Sequence, residues 1–277
     1  MQATKRPESV SQPANASFWE HLDEFRSLLI RGAIVLLLCG IVIFIKMPEI
    51  FDNIILAPSN NDFPLYRLLD KLTKSDLLFL TNEIPTEFNI KLVNISLASQ
   101  FMLHVSTSLW LSFLVCAPYL IYLMWKFVAP ALYQTERQAI RSAMLFSAVM
   151  FYIGVAVSYF MIFPLTLRFL ATYQLSPQIP NIIAIDSYMD TLTGLSLVMG
   201  LTFEMPMMSW LLGKMGLLTR SVFIRYRRHA VVALTVLAAI ITPTGDPFTL
   251  FVVFIPLYIL WELSAWLVPR ENTSAVI

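Results

Sequence analysis

Charge is scarce in this sequence: 13% of its 277 residues are Asp, Glu, Lys or Arg, against about 25% in soluble domains. Glycines number only eight and form no Gly-rich loop that could cradle a phosphate. The two cysteines, Cys39 and Cys116, sit inside apolar runs with no second cysteine at ligand spacing, so they make neither a disulfide framework nor a metal cluster. The three histidines, His21, His104 and His229, are equally scattered, and no Ser/His hydrolase arrangement accompanies them. A net charge of +1 offers no basic field for nucleic acid. These absences argue against an enzyme and imply no cofactor and no metal. What remains is 57% hydrophobic residues gathered in long runs. Lipid is the solvent such a composition fits.

A spanning helix needs about 20 mostly apolar residues, each rising about 1.5 Å through a core near 30 Å. Six segments qualify, and an all-α membrane protein of six spans is expected. They run from about Ser27 to Lys46, Leu97 to Val128, Ala143 to Phe163, Tyr188 to Leu212, His229 to Thr242 and Phe248 to Val268. The second exceeds what a bilayer requires and contains Pro118, which predicts tilt or a bend. The third should end near Pro164, and Glu204 and Pro206 interrupt the fourth. The fifth is short, and only Pro243, Thr244, Gly245, Asp246 and Pro247 separate it from the sixth, a tight turn by composition. The chain reads as one membrane domain, with a flexible N-terminus (1–17) and a short tail (269–277). Met1 to Asn15 lacks the charged-then-apolar plan of a cleaved signal, so the first span is expected to be retained.

Lys and Arg in the short connectors fall on one side: Lys126, Arg137, Arg141, Lys214, Arg220, Arg225, Arg227 and Arg228 accompany the N-terminus. The positive-inside rule then makes both termini cytoplasmic. The long loop from Met47 to Ser96 lies outside. Within it Pro64–Leu72 has the pattern of a short amphipathic helix on the outer leaflet, and Leu77–Leu80 could pair with Phe88–Val93 as a hairpin.

Three features stand out against the apolar background. The first is Phe18 to Leu29, where Phe18, Leu22, Phe25 and Leu29 share one helical face and Asp23 and Glu24 point elsewhere. That predicts an amphipathic helix at the cytoplasmic interface, and a plain surface anchor explains any one of its charges. Acidic residues beside anionic lipid nevertheless favour a cationic partner. The second is the connector Val128 to Arg137, in which Glu136 suits the first turn of a new helix and, with Glu24, could form an acidic patch for a basic peptide. The third is Glu204, about 6 Å from Gly200 toward the cytoplasmic side of the fourth span. An ionised carboxylate there costs several kcal/mol, so such residues are rare and usually functional. The bland alternative is a protonated Glu hydrogen-bonded between helices, for instance to a carbonyl freed by Pro206.

In this order and spacing the motifs resemble the TatC family, the core of the twin-arginine protein translocase. The resemblance rests on His21-Leu22-Asp23-Glu24-Phe25-Arg26 and on Phe127-Val128-Ala129-Pro130-Ala131-Leu132-Tyr133 followed by Glu136-Arg137. It continues through Phe151-Tyr152-Ile153-Gly154, Phe160 to Pro164, Phe203-Glu204-Met205-Pro206, and Thr242-Pro243 followed by Asp246. It covers nearly the whole chain from Trp19 to Trp266. Departures are Phe25 for a usual Leu, a turn at Pro243 one residue longer, and Leu250 where relatives often carry Gln.

The resemblance implies six kinked helices in a concave, glove-like wall in the cytoplasmic (inner) membrane. It implies that Glu24, Glu136, Arg26 and Phe127 bind the twin-arginine signal peptide, and that Glu204 faces the concave side. Thr242, Pro243 and Asp246 would form the outer turn that partners touch. The implied partners are the single-span subunits TatA and TatB in a multimeric complex, membrane lipids, and twin-arginine precursors exported folded at the expense of the proton-motive force. A proton-coupled small-solute transporter using Glu204 is the alternative, and it would favour internal repeats that the sequence does not show. A membrane-embedded enzyme would need a second buried polar residue near Glu204, and neither Thr202 nor Ser209 suits that role.

Overall fold

The computed structural model describes residues 18–73, 90–128, 137–176, 178, 181–242 and 245–269. Helix α1 runs unbroken from Phe18–Ile50, 33 residues, and ends in a π-helical turn, Phe51–Ile55. The amphipathic pattern before the first span predicts a helix at the interface, whereas the stretch is the continuous beginning of α1. No proline precedes Pro48 in α1, so nothing stops the helix from running on into the bilayer. Helix α3 (Ser99–Val128) contains Pro118 within its 30 residues and packs antiparallel along α1, with Leu120 beside Gly32 and Leu109 beside Gly40.

The third passage also differs from expectation. Helix α4 (Arg137–Val157) leads through a second π-helical turn (Ser158–Ile162) into α5 (Phe163–Thr172), well past Pro164. Pro164 stands in the first turn of α5, where its missing N–H removes no bond the helix needs. The fourth passage breaks where the sequence says it should. Helix α6 (Ile185–Thr202) gives way at Phe203-Glu204 to α7 (Met205–Lys214), with Pro206 in the new first turn.

A short α8 (Arg220–Arg225) leads to α9 (Arg227–Ile241) and α10 (Pro247–Leu267). Five helical passages among the described residues are long and apolar enough to cross a membrane, and α9 makes the shorter sixth. At 15 residues α9 is about 22 Å long, less than a core of about 30 Å. Arg227 of α9 donates to the Glu262 carboxylate of α10 at 2.6 Å, tying the two helices at one end. Large apolar side chains such as Leu37, Ile45, Leu145, Val232, Ile240 and Ile259 are exposed, as expected where lipid is the solvent.

The core lies where α6 meets its neighbours: Ile162, Phe163, Tyr188, Met189, Leu192, Leu195, Met199, Val253 and Leu257 are all buried. Two glycines let α4 and α6 touch. A Cβ on Gly154 would lie 2.5 Å from the Met199 carbonyl oxygen, and one on Gly200 would lie 2.8 Å from the Phe151 ring.

At the end away from Glu24, connecting segments close over the bundle. Helix α2 (Pro64–Thr73) forms as predicted, but its Tyr66 faces inward. The Tyr66 hydroxyl lies within bonding reach of the carbonyls of Pro58 and Pro164, at 2.9 and 3.2 Å. The Tyr188 hydroxyl donates to the Ile55 carbonyl at 2.6 Å, and Ser99 Oγ donates to Asp186 Oδ1 at 2.5 Å. Strand β1 (Leu92–Val93) pairs in parallel with β2 (Ile183–Ala184). The predicted hairpin partner Leu77–Leu80 lies outside the described residues.

Candidate functional site

On α1, residues 24, 27, 28 and 31 recur at helical spacing and so share one face, as do 123, 126 and 127 on α3. The two faces enclose a pocket of about 180 Å³ lined by Glu24, Ser27, Leu28, Arg31, Leu123, Lys126 and Phe127. The Phe25 and Phe127 rings meet beside it, with centroids 5.6 Å apart. The result is a carboxylate set against an apolar floor, with two cations in the same wall. Glu24 is exposed, and a carboxylate so placed can pair bidentately with an incoming guanidinium.

Of the residues the motifs single out, Glu24 and Phe127 come together here. Arg26 is exposed on α1 and outside the pocket lining. Glu136 lies outside the described residues. Ser27, Arg31, Leu123 and Lys126 complete the wall without having been singled out in the sequence. Counting i+3 and i+7 from Glu24 reaches Ser27 and Arg31, counting four back from Phe127 reaches Leu123, and Lys126 is the immediate neighbour of Phe127.

The second polar centre is Glu204, half-buried at the break between α6 and α7. Ser147 Oγ of α4 donates to its Oε2, while Oε1 is buried with no hydrogen-bond partner among the described residues. The close α4–α6 crossing at Gly154 and Gly200 produces this contact, because it holds α4 against the turn that carries Glu204. Ser147 is thus the buried polar neighbour that Thr202 and Ser209 could not supply. The two histidines with described side chains stand elsewhere, His104 stacked on Phe44 and His229 beside Tyr226. Among the described residues no cluster of three or more His, Cys, Asp or Glu could hold a metal.

At the turn between α9 and α10, Thr242 is buried and Pro243 lies outside the described residues. Gly245 takes a positive φ of 60°, which an L side chain rarely adopts. Asp246 Oδ1 accepts the Thr249 backbone N–H at 2.7 Å, capping α10. The cap is legible in the sequence as well, since Asp three residues before Thr249 and next to Pro247 is a helix start.

A sequence profile for the family described as Sec-independent protein translocase protein (TatC) matches residues 20–256. The protein of that name from Blattabacterium sp. subsp. Periplaneta americana is 34% identical over 253 residues, covering 90% of this chain and 94% of its own. The one from Aquifex aeolicus is 30% identical over 249 residues, 90% of this chain and 92% of its own. A crystal structure of the twin-arginine translocase receptor TatC in DDM superposes with a TM-score of 0.73 at 27% identity, over 90% of this chain and 100% of that one. A second TatC crystal structure gives a TM-score of 0.70 over 97% of its chain. With a family profile spanning most of its length and this fold in common, the chain belongs to the TatC family of Sec-independent protein translocase proteins.

Proposed function

We propose that this multi-pass membrane protein recognises twin-arginine signal peptides at the α1–α3 pocket, with Glu24 as the described carboxylate and Glu136 as its second acidic contact. The observation that carries the reading is the place of Glu24, on the wall of an apolar-floored pocket beside Phe127. One arginine of the signal pairs with Glu24, and the apolar stretch that follows lies on Leu28, Leu123 and the Phe25–Phe127 pair. Arg26, exposed beside the pocket, acts on the approach path.

The distribution of Lys and Arg supports a pocket open to the cytoplasm, with both termini on that side of the inner membrane. Single-span TatA- and TatB-type subunits dock along α9 and α10, whose exposed Val232, Val236, Ile240, Phe251 and Ile259 suit a helix partner in lipid. Glu204, held by Ser147, fixes the α6–α7 break against α4. Transport then draws on the proton-motive force. The test is site-directed crosslinking of a twin-arginine precursor to this chain in native membranes. Glu24→Ala with Glu136→Ala should abolish the crosslink while the protein still accumulates. An undiminished crosslink removes the assignment.

A further inference from the structure

Tyr152, in the Phe151-Tyr152-Ile153-Gly154 motif of α4, belongs to neither polar centre described above, yet its hydroxyl reaches across to α3. It lies 3.1 Å from the Leu114 carbonyl oxygen and 3.4 Å from that of Val115. In an α-helix the N–H of residue 118 bonds the carbonyl of residue 114, and Pro118 has no N–H to give. The Leu114 oxygen is thereby left open where water is scarce, and the Tyr152 O–H donates to it. The same pairing recurs nearer the start of α3. Pro48 inside α1 withholds an N–H from the Phe44 carbonyl, and His104 Nε2 of α3 donates to that oxygen at 2.8 Å. Two proline-opened carbonyls are thus each closed by a side chain of the neighbouring helix.

The Tyr152 side chain is braced for this contact. Its ring meets the Phe151 ring edge-on at 5.9 Å, and Phe151 is wedged between Phe113 of α3, at 6.3 Å, and Gly200 of α6. Pro118 divides α3 into two halves that are attached differently. Before it, Ser112 Oγ donates to the Leu36 carbonyl of α1 at 2.7 Å, and His104 donates to that of Phe44. After it, α3 meets α1 through apolar contacts, Leu120 and Leu123 beside Gly32 and Phe127 against Phe25. That second half carries Leu123, Lys126 and Phe127, one wall of the Glu24 pocket. Apolar contacts are not directional, so the angle of the second half depends on how the opened turn is held.

We propose that Tyr152 is a positioning residue for the α1–α3 pocket: its hydroxyl closes the turn that Pro118 opens and so sets the direction of the pocket wall that follows. Without the hydroxyl the turn loses its donor from α4, and the kink relaxes. A change of about 10–20°, modest beside a sharp proline kink, moves Met124, about 9 Å past the proline, by about 2–3 Å. What the wall binds rests on the function proposed above; its positioning by Tyr152 does not.

Nitroxides attached to ketone-bearing residues at Met124 and Leu145, both exposed, report the distance from the wall to α4 by double electron–electron resonance in the full-length protein. A second pair at Met102 and Met161, also exposed, reports the half of α3 before Pro118 and serves as control. Tyr152→Phe, which loses only the oxygen, should shift the first distance by about 2–3 Å and leave the control pair in place. In a Pro118→Ala background residue 118 regains its N–H, so the same substitution should shift nothing. Affinity for a twin-arginine signal peptide should fall about 2- to 12-fold in Tyr152→Phe, the ceiling being one net hydrogen bond. It should not change when Tyr152→Phe is added to Pro118→Ala. An unmoved wall in Tyr152→Phe, a shift of both pairs, or an equal shift with and without Pro118 overturns the proposal. A moved wall with unaltered peptide affinity upholds the positioning and counts against the pocket as the signal site.

Discussion

Gly154→Ala adds one methyl group at the tightest point between α4 and α6. The new Cβ would stand 2.5 Å from the Met199 carbonyl oxygen and 2.8 Å from Phe203 Cγ. The oxygen belongs to the backbone of α6 and cannot swing aside, so the helices themselves must separate. Overpacking of this kind costs about 1–3 kcal/mol. Gly200→Ala meets the Phe151 ring edge at 2.8 Å, a side chain that can tilt, so its cost should be smaller. Gly194 in α6 has nothing within 4 Å of its Cβ position. Gly194→Ala should therefore be neutral, or stabilising by about 0.5–1 kcal/mol through helix propensity. Thermal unfolding in detergent followed by circular dichroism orders the three. On the scale of about 2–4 °C per kcal/mol, Gly154→Ala should melt about 2–12 °C below the parent, with Gly200→Ala between it and Gly194→Ala. A Gly154→Ala protein melting with or above Gly194→Ala refutes the claim that backbone contact sets this crossing, and with it the placement of Glu204 against Ser147.

Ser147→Ala removes the partner of Glu204 Oε2 and should cost about 0.5–2 kcal/mol by detergent unfolding. In export assays Glu204→Gln should retain more transport than Glu204→Ala, since the amide keeps a hydrogen-bonding group for Ser147. Asp246→Ala loses the cap of α10 and should destabilise by about 1 kcal/mol. Asp246→Asn should recover most of that stability, and with it export if capping is the residue's main task. Tyr66→Phe loses a hydroxyl shared between two carbonyls, so proteolysis between α2 and α3 should accelerate.

The helices were legible because an apolar run of spanning length fits little besides a bilayer, and their limits were missed where local chemistry outweighed the run. Pro164 reads as a stop, yet the preceding π-helical turn places it where a helix tolerates proline. The pattern from Phe18 to Leu29 reads as a surface helix, yet nothing in the sequence separates it from the span. Glu204 was conspicuous as a charge in an apolar segment, whereas Ser147 was not, because serine is unremarkable in membrane helices. The approach of Ser112 to the Leu36 carbonyl depends on the antiparallel register of α1 and α3, which no local spacing encodes. Strand β1 is two residues long and its partner lies beyond three helices, α3, α4 and α5, so its pairing was equally hidden. The matches to translocase proteins give no support to the solute-transporter alternative for Glu204.

The proposed function turns on Glu24 binding a signal arginine. Purified protein titrated with a fluorescent twin-arginine signal peptide tests it directly. Charged hydrogen bonds contribute about 1.5–3 kcal/mol, so Glu24→Gln should weaken binding by about 10- to 150-fold. Glu49, at the other end of α1 and 3.8 Å from Lys46, serves as the control, and Glu49→Gln should bind as the parent does. Equal affinity of the Glu24→Gln and parent proteins for the peptide would contradict the account.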